Sequence, residues 1–324
     1  MVKSLQSIQA PIVDELRTFE QRFREAMRSP VPLLDRITFY IVRRKGKQVR
    51  PMFIFLTAKL CNGVTDATYT AASLVELLHT ASLVHDDVVD DANERRGFFS
   101  VNALWKNKAA VLVGDFLLTR GLALALKQKQ LQLLQIVSDA FEAITVGELL
   151  QLEKARRLDI DEAVYYEVIR KKTASLIASA CAAGAASTTT DEVVIEKMRL
   201  FGETIGMAFQ IRDDLFDFGT HDVGKPLGID IKEKKMTLPL IYALQQAPVA
   251  ERKAIIRRIK RSSEEPETIQ AVVDFVRQSG GLAYAQQVMY DFRAQAFEIL
   301  HTFPPSPARE SLEDLVNFVV MREK

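Results

Sequence analysis

Cysteine is almost missing from this chain: Cys61 and Cys181 are the only two in 324 residues. Two thiols cannot staple a secreted disulfide scaffold, and they lack the paired spacing of a zinc site. Free thiols fit a reducing compartment, so a cytoplasmic protein is expected. An excess of one charge is missing as well: 43 Lys and Arg face 42 Asp and Glu, a formal net charge of +1. No overall field exists to hold a nucleic acid, and anions must be met by local clusters. The apolar stretch 174–186 is interrupted by Ser and Gly and is shorter than the ~20 residues of a spanning helix. The N-terminal run MVKSLQSIQAPIVDELRTF lacks the apolar core of a secretory signal. No membrane span is expected.

Sustained period-two alternation is also lacking, whereas apolar residues recur at helical spacing, as in Leu74, Leu77, Leu78, Ala81 and Val84. With 48% hydrophobic and 26% charged residues, the composition is that of a packed globular protein. The chain reads as all-α, with roughly ten or more helices. Thr65 and Asp66 mark one helix start, and Thr189 with Glu192 forms a capping-box pattern at another. No Pro/Gly/Ser-rich linker divides the chain, and PPSP at 304–307 only separates the last helix, so one domain over 1–324 is expected. The break in helical regularity is 219–235, GTHDVGKPLGIDIKEKK; loops of this length commonly serve as lids or binding elements.

Two acidic sets stand out. Asp86, Asp87, Asp90 and Asp91 occur in LVHDDVVDDANERRG, and Asp213, Asp214 and Asp217 in GMAFQIRDDLFDFG. In each, carboxylates four apart share one helix face and repel by a few tenths of a kcal/mol. Each set also closes an apolar helix, where the macrodipole disfavours further negative charge. One such run is explained by a solvated helix end; two matching runs suggest a shared function. All-oxygen sites suit Mg²⁺, which takes one or two carboxylates together with phosphate oxygens. Facing clusters of this kind could hold a diphosphate through metal ions. Cations available to it are Lys47, Arg50, Arg95, Arg96, Lys172, Lys225 and Lys235, with guanidinium groups able to grip phosphate bidentately.

These residues resemble the trans-isoprenyl diphosphate synthases, most closely the long-chain, octaprenyl-type polyprenyl diphosphate synthases. The resemblance is carried by KGKQVRP at 45–51, HTASLVHDDVVDDANERRG at 79–97, GDFLL at 114–118, KT at 172–173, and FQIRDDLFD with GKPLGIDIKEKKMTLPL. It implies a single large bundle of long helices around a central cavity, the isoprenoid synthase fold, in a homodimer. It further implies a Mg²⁺-dependent condensation of isopentenyl diphosphate with an allylic diphosphate. By motif position, Asp86, Asp90 and Asp213 correspond to the principal Mg²⁺ ligands, with Asp87, Asp214 and Asp217 in the same clusters. Lys47, Arg50, His79 and Arg96 correspond to the isopentenyl diphosphate site. Arg95, Lys172, Lys225 and Lys235 correspond to the allylic site, with Lys172, Thr173 and Gln210 near the reacting end. Departures from the family pattern are Lys45, Gln48 and Val49 in the first motif and Phe216 in the second aspartate motif.

The small residues Ala81 and Ser82, five and four positions before Asp86, are expected to line a product tunnel with its floor near Phe141. That implies a product of about eight isoprene units, by the resemblance, with at most peripheral membrane contact on release. Short-chain farnesyl or geranylgeranyl synthesis is the alternative. A terpene cyclase would not need Lys47, Arg50 and His79, and a non-catalytic partner subunit would not need both aspartate motifs. The near-phosphate-loop GTHDVGKP fails because Pro226 supplies no hydroxyl and the segment follows a helix.

Overall fold

A computed structural model describes residues 3–43, 46–95, 97–158, 161–219 and 228–321. The helices are α1 (Leu5–Gln9), α2 (Val13–Ala26), α3 (Pro32–Arg43), α4 (Val49–Cys61), α5 (Asp66–Val89), α6 (Val101–Lys127), α7 (Leu131–Arg157) and α8 (Glu162–Ile169). They continue as α9 (Ser175–Ala186), α10 (Glu192–Phe216), α11 (Ile229–Lys232), α12 (Leu238–Gln246), α13 (Val249–Ser262), α14 (Pro266–Gln278), α15 (Gly281–Leu300) and α16 (Pro307–Met321). A short 3₁₀ turn, Ala10–Ile12, joins α1 to α2. Among the described residues the one departure from an all-α reading is a hairpin of β1 (Glu94–Arg95) and β2 (Phe98–Phe99), too short to form a layer.

The centre of the bundle is α9, SLIASACAAGAA, with nine of twelve residues buried. Small side chains let neighbours cross it closely: a Cβ on Gly184 would meet the Ile54 carbonyl of α4 at 2.6 Å, and one on Gly202 of α10 would meet the Ile177 carbonyl at 2.6 Å. One hydrophobic cluster runs from Ile8 in α1 to Val320 in α16. A second fills the seam between α5 and α6 with Leu77, Ala81, Val84, Val113 and Leu117.

Helix starts are as the sequence indicates at Thr65, whose side chain and that of Thr68 close a capping box. At α10 the expectation is corrected. Asp191 is the N-cap, accepting from the Val193 and Val194 amides, while Thr189 accepts only from the Asp191 amide. A carboxylate one residue before the first helical turn caps as well as a hydroxyl and also meets the positive end of the dipole.

The stretch 174–186 is not the one nearest to the length and composition of a membrane span. By these measures α6 could cross a membrane, although it breaks at Lys106 (φ 70°, ψ 161°) and its inner edge packs on α5. Its outer edge exposes Leu104, Val111, Leu112 and Leu126, and α7 exposes Leu131, Val146, Leu149 and Leu152.

Candidate active site

The first acidic set ends α5, with Asp90 as the C-cap. Its members sit in different surroundings. Asp86 is half-buried, and burial, followed by the charges of Glu148 and Asp90, pushes its carboxyl up to about 6 against the pull of Arg95 and Lys172. Asp90 is exposed. Asp87 is only 4% exposed and is engaged elsewhere: Arg95 Nε donates to its Oδ1 at 2.7 Å, and Asn102 Nδ2 donates to its main-chain carbonyl at 3.1 Å. The structure thus gives Asp87 and Arg95 to a clasp that fastens the hairpin to α5.

The second set ends α10. Asp214 is buried, receiving the Tyr165 hydroxyl on Oδ2 at 2.6 Å and Gln210 Nε2 on Oδ1 at 2.8 Å. Burial still dominates and pushes it up to about 7. Asp217 accepts the amides of Ile229 at 2.8 Å and Asp230 at 3.2 Å. It therefore ties α11 back to α10, and burial followed by repulsion from Asp230 pushes it up to about 6. Phe216, the departure in this motif, lies under the Arg212 guanidinium at 4.5 Å, a packing role.

A π-helical segment, Arg170–Ala174, carries Lys172 and Thr173. Such one-turn bulges inside helices recur at functional sites. Two glycines grip it: a Cβ on Gly147 would come within 2.9 Å of the Lys172 nitrogen, and one on Gly206 within 2.4 Å of the Ala174 Cα. Lys172 Nζ donates to Glu148 Oε2 at 2.9 Å and Gln151 Oε1 at 3.0 Å. The Thr173 hydroxyl donates to Gln210 Oε1 at 2.7 Å. A chain of hydrogen bonds therefore links Thr173 to Gln210, Asp214 and Tyr165.

These elements enclose a cavity of about 210 Å³ lined by Lys172, Thr173, Gln210, Asp213, Asp214, Asp230 and Lys235, among others. The lining also includes polar residues that the sequence does not single out, among them Asp230, Gln151 and Thr237. Asp230 lies beside Lys235, 3.5 Å from its Nζ, and burial raises its carboxyl. Gln151 shares Lys172 with Glu148. Thr237 is 4% exposed, and its Oγ1 finds no hydrogen-bond partner among the described residues. Their signals in the sequence are the GIDIKEKKMTLPL and GELLQ runs, but neither run names a role by residue type.

Away from this cavity, Arg50 Nε donates to Glu76 Oε1 at 2.7 Å, and Lys47 Nζ lies 5.2 Å from the Phe318 ring centre. His79 is one turn beyond Glu76 on α5, so α4 and α5 share a corner that brings Arg50 near His79, two of the four predicted isopentenyl diphosphate residues. Arg96 and Lys225 lie outside the described residues. A pattern unites the cations: Lys172, Lys235, Arg50 and Arg95 each have an acidic partner, so an incoming anion must share or displace a carboxylate.

The expected tunnel residues separate. Ser82, four residues from Asp86, is turned about 40° from it around α5, whereas Ala81, five away, is turned about 140°. Ala81 is accordingly 2% exposed and packed in the α5–α6 seam. Ser82 is half-buried and donates to the His79 carbonyl at 3.0 Å, and Phe141 packs against the main core from α7.

Asp214 gives a test of the site's electrostatics in the metal-free protein. Its folded pKa lies above the ordinary value of 3.8, so between about pH 4 and 7 the native state binds more protons than the unfolded one. Its contribution to stability is fully present below that window and is lost as pH rises through it. Asp214→Asn removes this slope while its amide serves the same two neighbours. In chelator, the Tm of the variant relative to the unmodified protein should therefore rise from pH 5 to pH 8, measured by scanning calorimetry; a constant difference would contradict the assignment.

Comparison with known proteins follows the same lines. A family model described as Polyprenyl synthetase matches residues 31–276. Octaprenyl diphosphate synthase of Escherichia coli (strain K12) is 34% identical over 302 residues, covering 93% of each chain. Short chain isoprenyl diphosphate synthase of Methanothermobacter thermautotrophicus is 35% identical over 323 residues, covering 96% of this chain and 99% of its own. The crystal structure of polyprenyl synthase from Caulobacter crescentus CB15 complexed with calcium and isoprenyl diphosphate matches with a TM-score of 0.90 and 32% identity, over 100% of this chain and 99% of that one.

Proposed function

The chain belongs to the polyprenyl synthetase family and is a prenyltransferase with the all-α isoprenoid synthase fold, and from that premise we propose that it adds isopentenyl diphosphate repeatedly to an allylic diphosphate, giving a long trans-polyprenyl diphosphate and pyrophosphate. The observation that carries this reading is the meeting of Asp213, Asp214, Asp230, Lys172 and Lys235 on one cavity, with Asp86 near enough to Lys172 to feel its charge. Release of pyrophosphate only when both substrates are present tests it; release from the allylic substrate alone would point to a cyclase.

The donor set fits Mg²⁺. It is all oxygen, and Asp86, Asp217 and Asp230 are raised by burial and like charge, the condition that a divalent cation relieves. Among the described residues no three acidic, His or Cys side chains converge to hold a metal by themselves. Mg²⁺ needs only one or two carboxylates, its shell being completed by water and substrate phosphate. Asp86, Asp90 and Asp213 would hold it, and the calcium bound in the Caulobacter relative supports a divalent ion. Mg²⁺ in that position supplies Lewis acidity that draws charge from the leaving diphosphate.

The chain's own groups do the rest. Lys172 and Lys235 turn from their carboxylate partners to the allylic diphosphate, holding it with the C–O bond aimed into the cavity. Thr173 and Gln210 present oxygen atoms to the developing allylic cation, fixed by their mutual hydrogen bond and by Asp214. Lys47, Arg50 and His79 hold isopentenyl diphosphate so that its double bond attacks that carbon. The departing pyrophosphate takes the proton whose loss forms the new trans double bond. We place the enzyme in the cytoplasm, a location that the free thiols Cys61 and Cys181 support.

Chain length rests on the small side chain at Ser82, on the Asp86 face. A long product, about eight units, is proposed, supported by the relative named octaprenyl diphosphate synthase; the short-chain relative keeps a fifteen- or twenty-carbon product as the second reading. Ser82→Phe should shorten the product to three or four units, read by mass spectrometry, with the first condensation retained. An unchanged length would remove Ser82 from the tunnel.

We also propose a homodimer formed through the outer edges of α6 and α7, where Leu112 is 59% and Leu149 62% exposed. Contiguous apolar strips of this kind are rare on free monomers. Sedimentation should give twice the mass of one chain, and Leu112→Glu with Leu149→Glu should give the monomer. A monomeric unmodified protein would contradict this.

A further inference from the structure

Five of the six cationic side chains of α13 are turned away from the core; the sixth, Arg252, is half-buried on the isoleucine side. Taking about 100° per residue, Lys253, Arg257, Lys260 and Arg261 fall within about 100° of arc, with Arg258 at its edge. Ile255, Ile256 and Ile259 occupy the opposite side, where Ile259 is buried and its two neighbours pack on the main core. Lys253, Arg257, Arg258, Lys260 and Arg261 are exposed, and none of these five has an acidic partner among the described residues, unlike the cations of the active site. The only acid within the helix is Glu251, at its first turn.

The C-terminal end of α13 adjoins the segment at the cavity rim. Lys234 Nζ donates to the Lys260 carbonyl at 3.2 Å and Ser263 Oγ to the Lys232 carbonyl at 3.1 Å, so the end of α13 is fastened to the segment that delivers Lys235 to the cavity. We propose that the outer face of α13 docks the enzyme on an anionic phospholipid bilayer, with the cavity rim held beside the membrane. This rests on the prenyltransferase reading, because a polyprenyl diphosphate combines a charged head with a tail too apolar for water. Charge complementarity selects the bilayer: the isoleucines of α13 are used inside the protein and only Val249 of its first turn is left exposed, so little remains to insert, and attraction must come from lysine and arginine over a negative surface. Basic side chains near such a surface contribute about 1 kcal/mol each, within a Debye length.

The test is co-sedimentation of the full chain, without substrate, with vesicles of phosphatidylcholine alone or mixed with phosphatidylglycerol. Binding is expected to the mixed vesicles only, to disappear at 1 M salt, where the Debye length is about 3 Å, and to survive millimolar pyrophosphate. Lys253→Gln, Arg257→Gln, Lys260→Gln and Arg261→Gln combined should weaken it on the order of a thousandfold while leaving condensation of soluble substrates unchanged. Equal binding to neutral vesicles, equal binding by the variant, or binding of RNA without binding of vesicles would overturn the proposal. A raised KM for soluble diphosphates in the variant, with vesicle binding intact, would assign the face to substrate capture instead. Because vesicle binding is scored without turnover, its failure is distinguishable from failure of the prenyltransferase reading itself.

Discussion

Asp86→Ala and Asp213→Ala should each lower kcat by on the order of 10²–10³ or more, with the helical circular dichroism unchanged. Removing one preorganised charge from a developing transition state costs that much when the group acts only there. Asp86 is suited to such a role and unsuited to a structural one. Burial and repulsion push its carboxyl up to about 6, so in the metal-free protein at neutral pH its charge opposes folding. Asp87→Ala, one residue away, provides the contrast. It strips the clasp from Arg95 and leaves a half-buried guanidinium unpaired, so its principal effect should be a lower Tm. If Asp86→Ala lost helicity and Asp87→Ala did not, the two roles would be reversed.

Excess chelator should abolish turnover, and Mg²⁺ should restore it. Lys172 and Lys235 are each committed to acids, and Asp213, Asp214 and Asp230 line the same cavity; a diphosphate entering alone would meet more negative than free positive charge. Cation and diphosphate together convert that repulsion into attraction, so each should raise the Tm more in the presence of the other than singly. Full activity in chelator would contradict the role given to the aspartates.

Much of this site was legible in the sequence because its signals were local. Four-residue spacing put Asp86 with Asp90 and Asp213 with Asp217 on helix faces, and the helices do end there. What escaped depended on three dimensions. The inward turn of Asp87 requires Arg95 to come back along a hairpin, and the engagement of Asp217 requires α11 to start beneath it. The π-helical turn at Lys172 follows from glycines on two other helices, Gly147 and Gly206. Ala81 could have been placed correctly from helical period alone, since five residues rotate it away from Asp86. At Thr189 a second capping residue, Asp191, competed two positions later and prevailed.

The most direct measurement is mass spectrometry of the products formed from isopentenyl diphosphate and farnesyl diphosphate with Mg²⁺. A ladder of all-trans polyprenyl diphosphates ending near eight isoprene units, with one pyrophosphate released for each unit added, is the predicted result. Unconsumed isopentenyl diphosphate, or cyclised hydrocarbon in place of longer diphosphates, would contradict it.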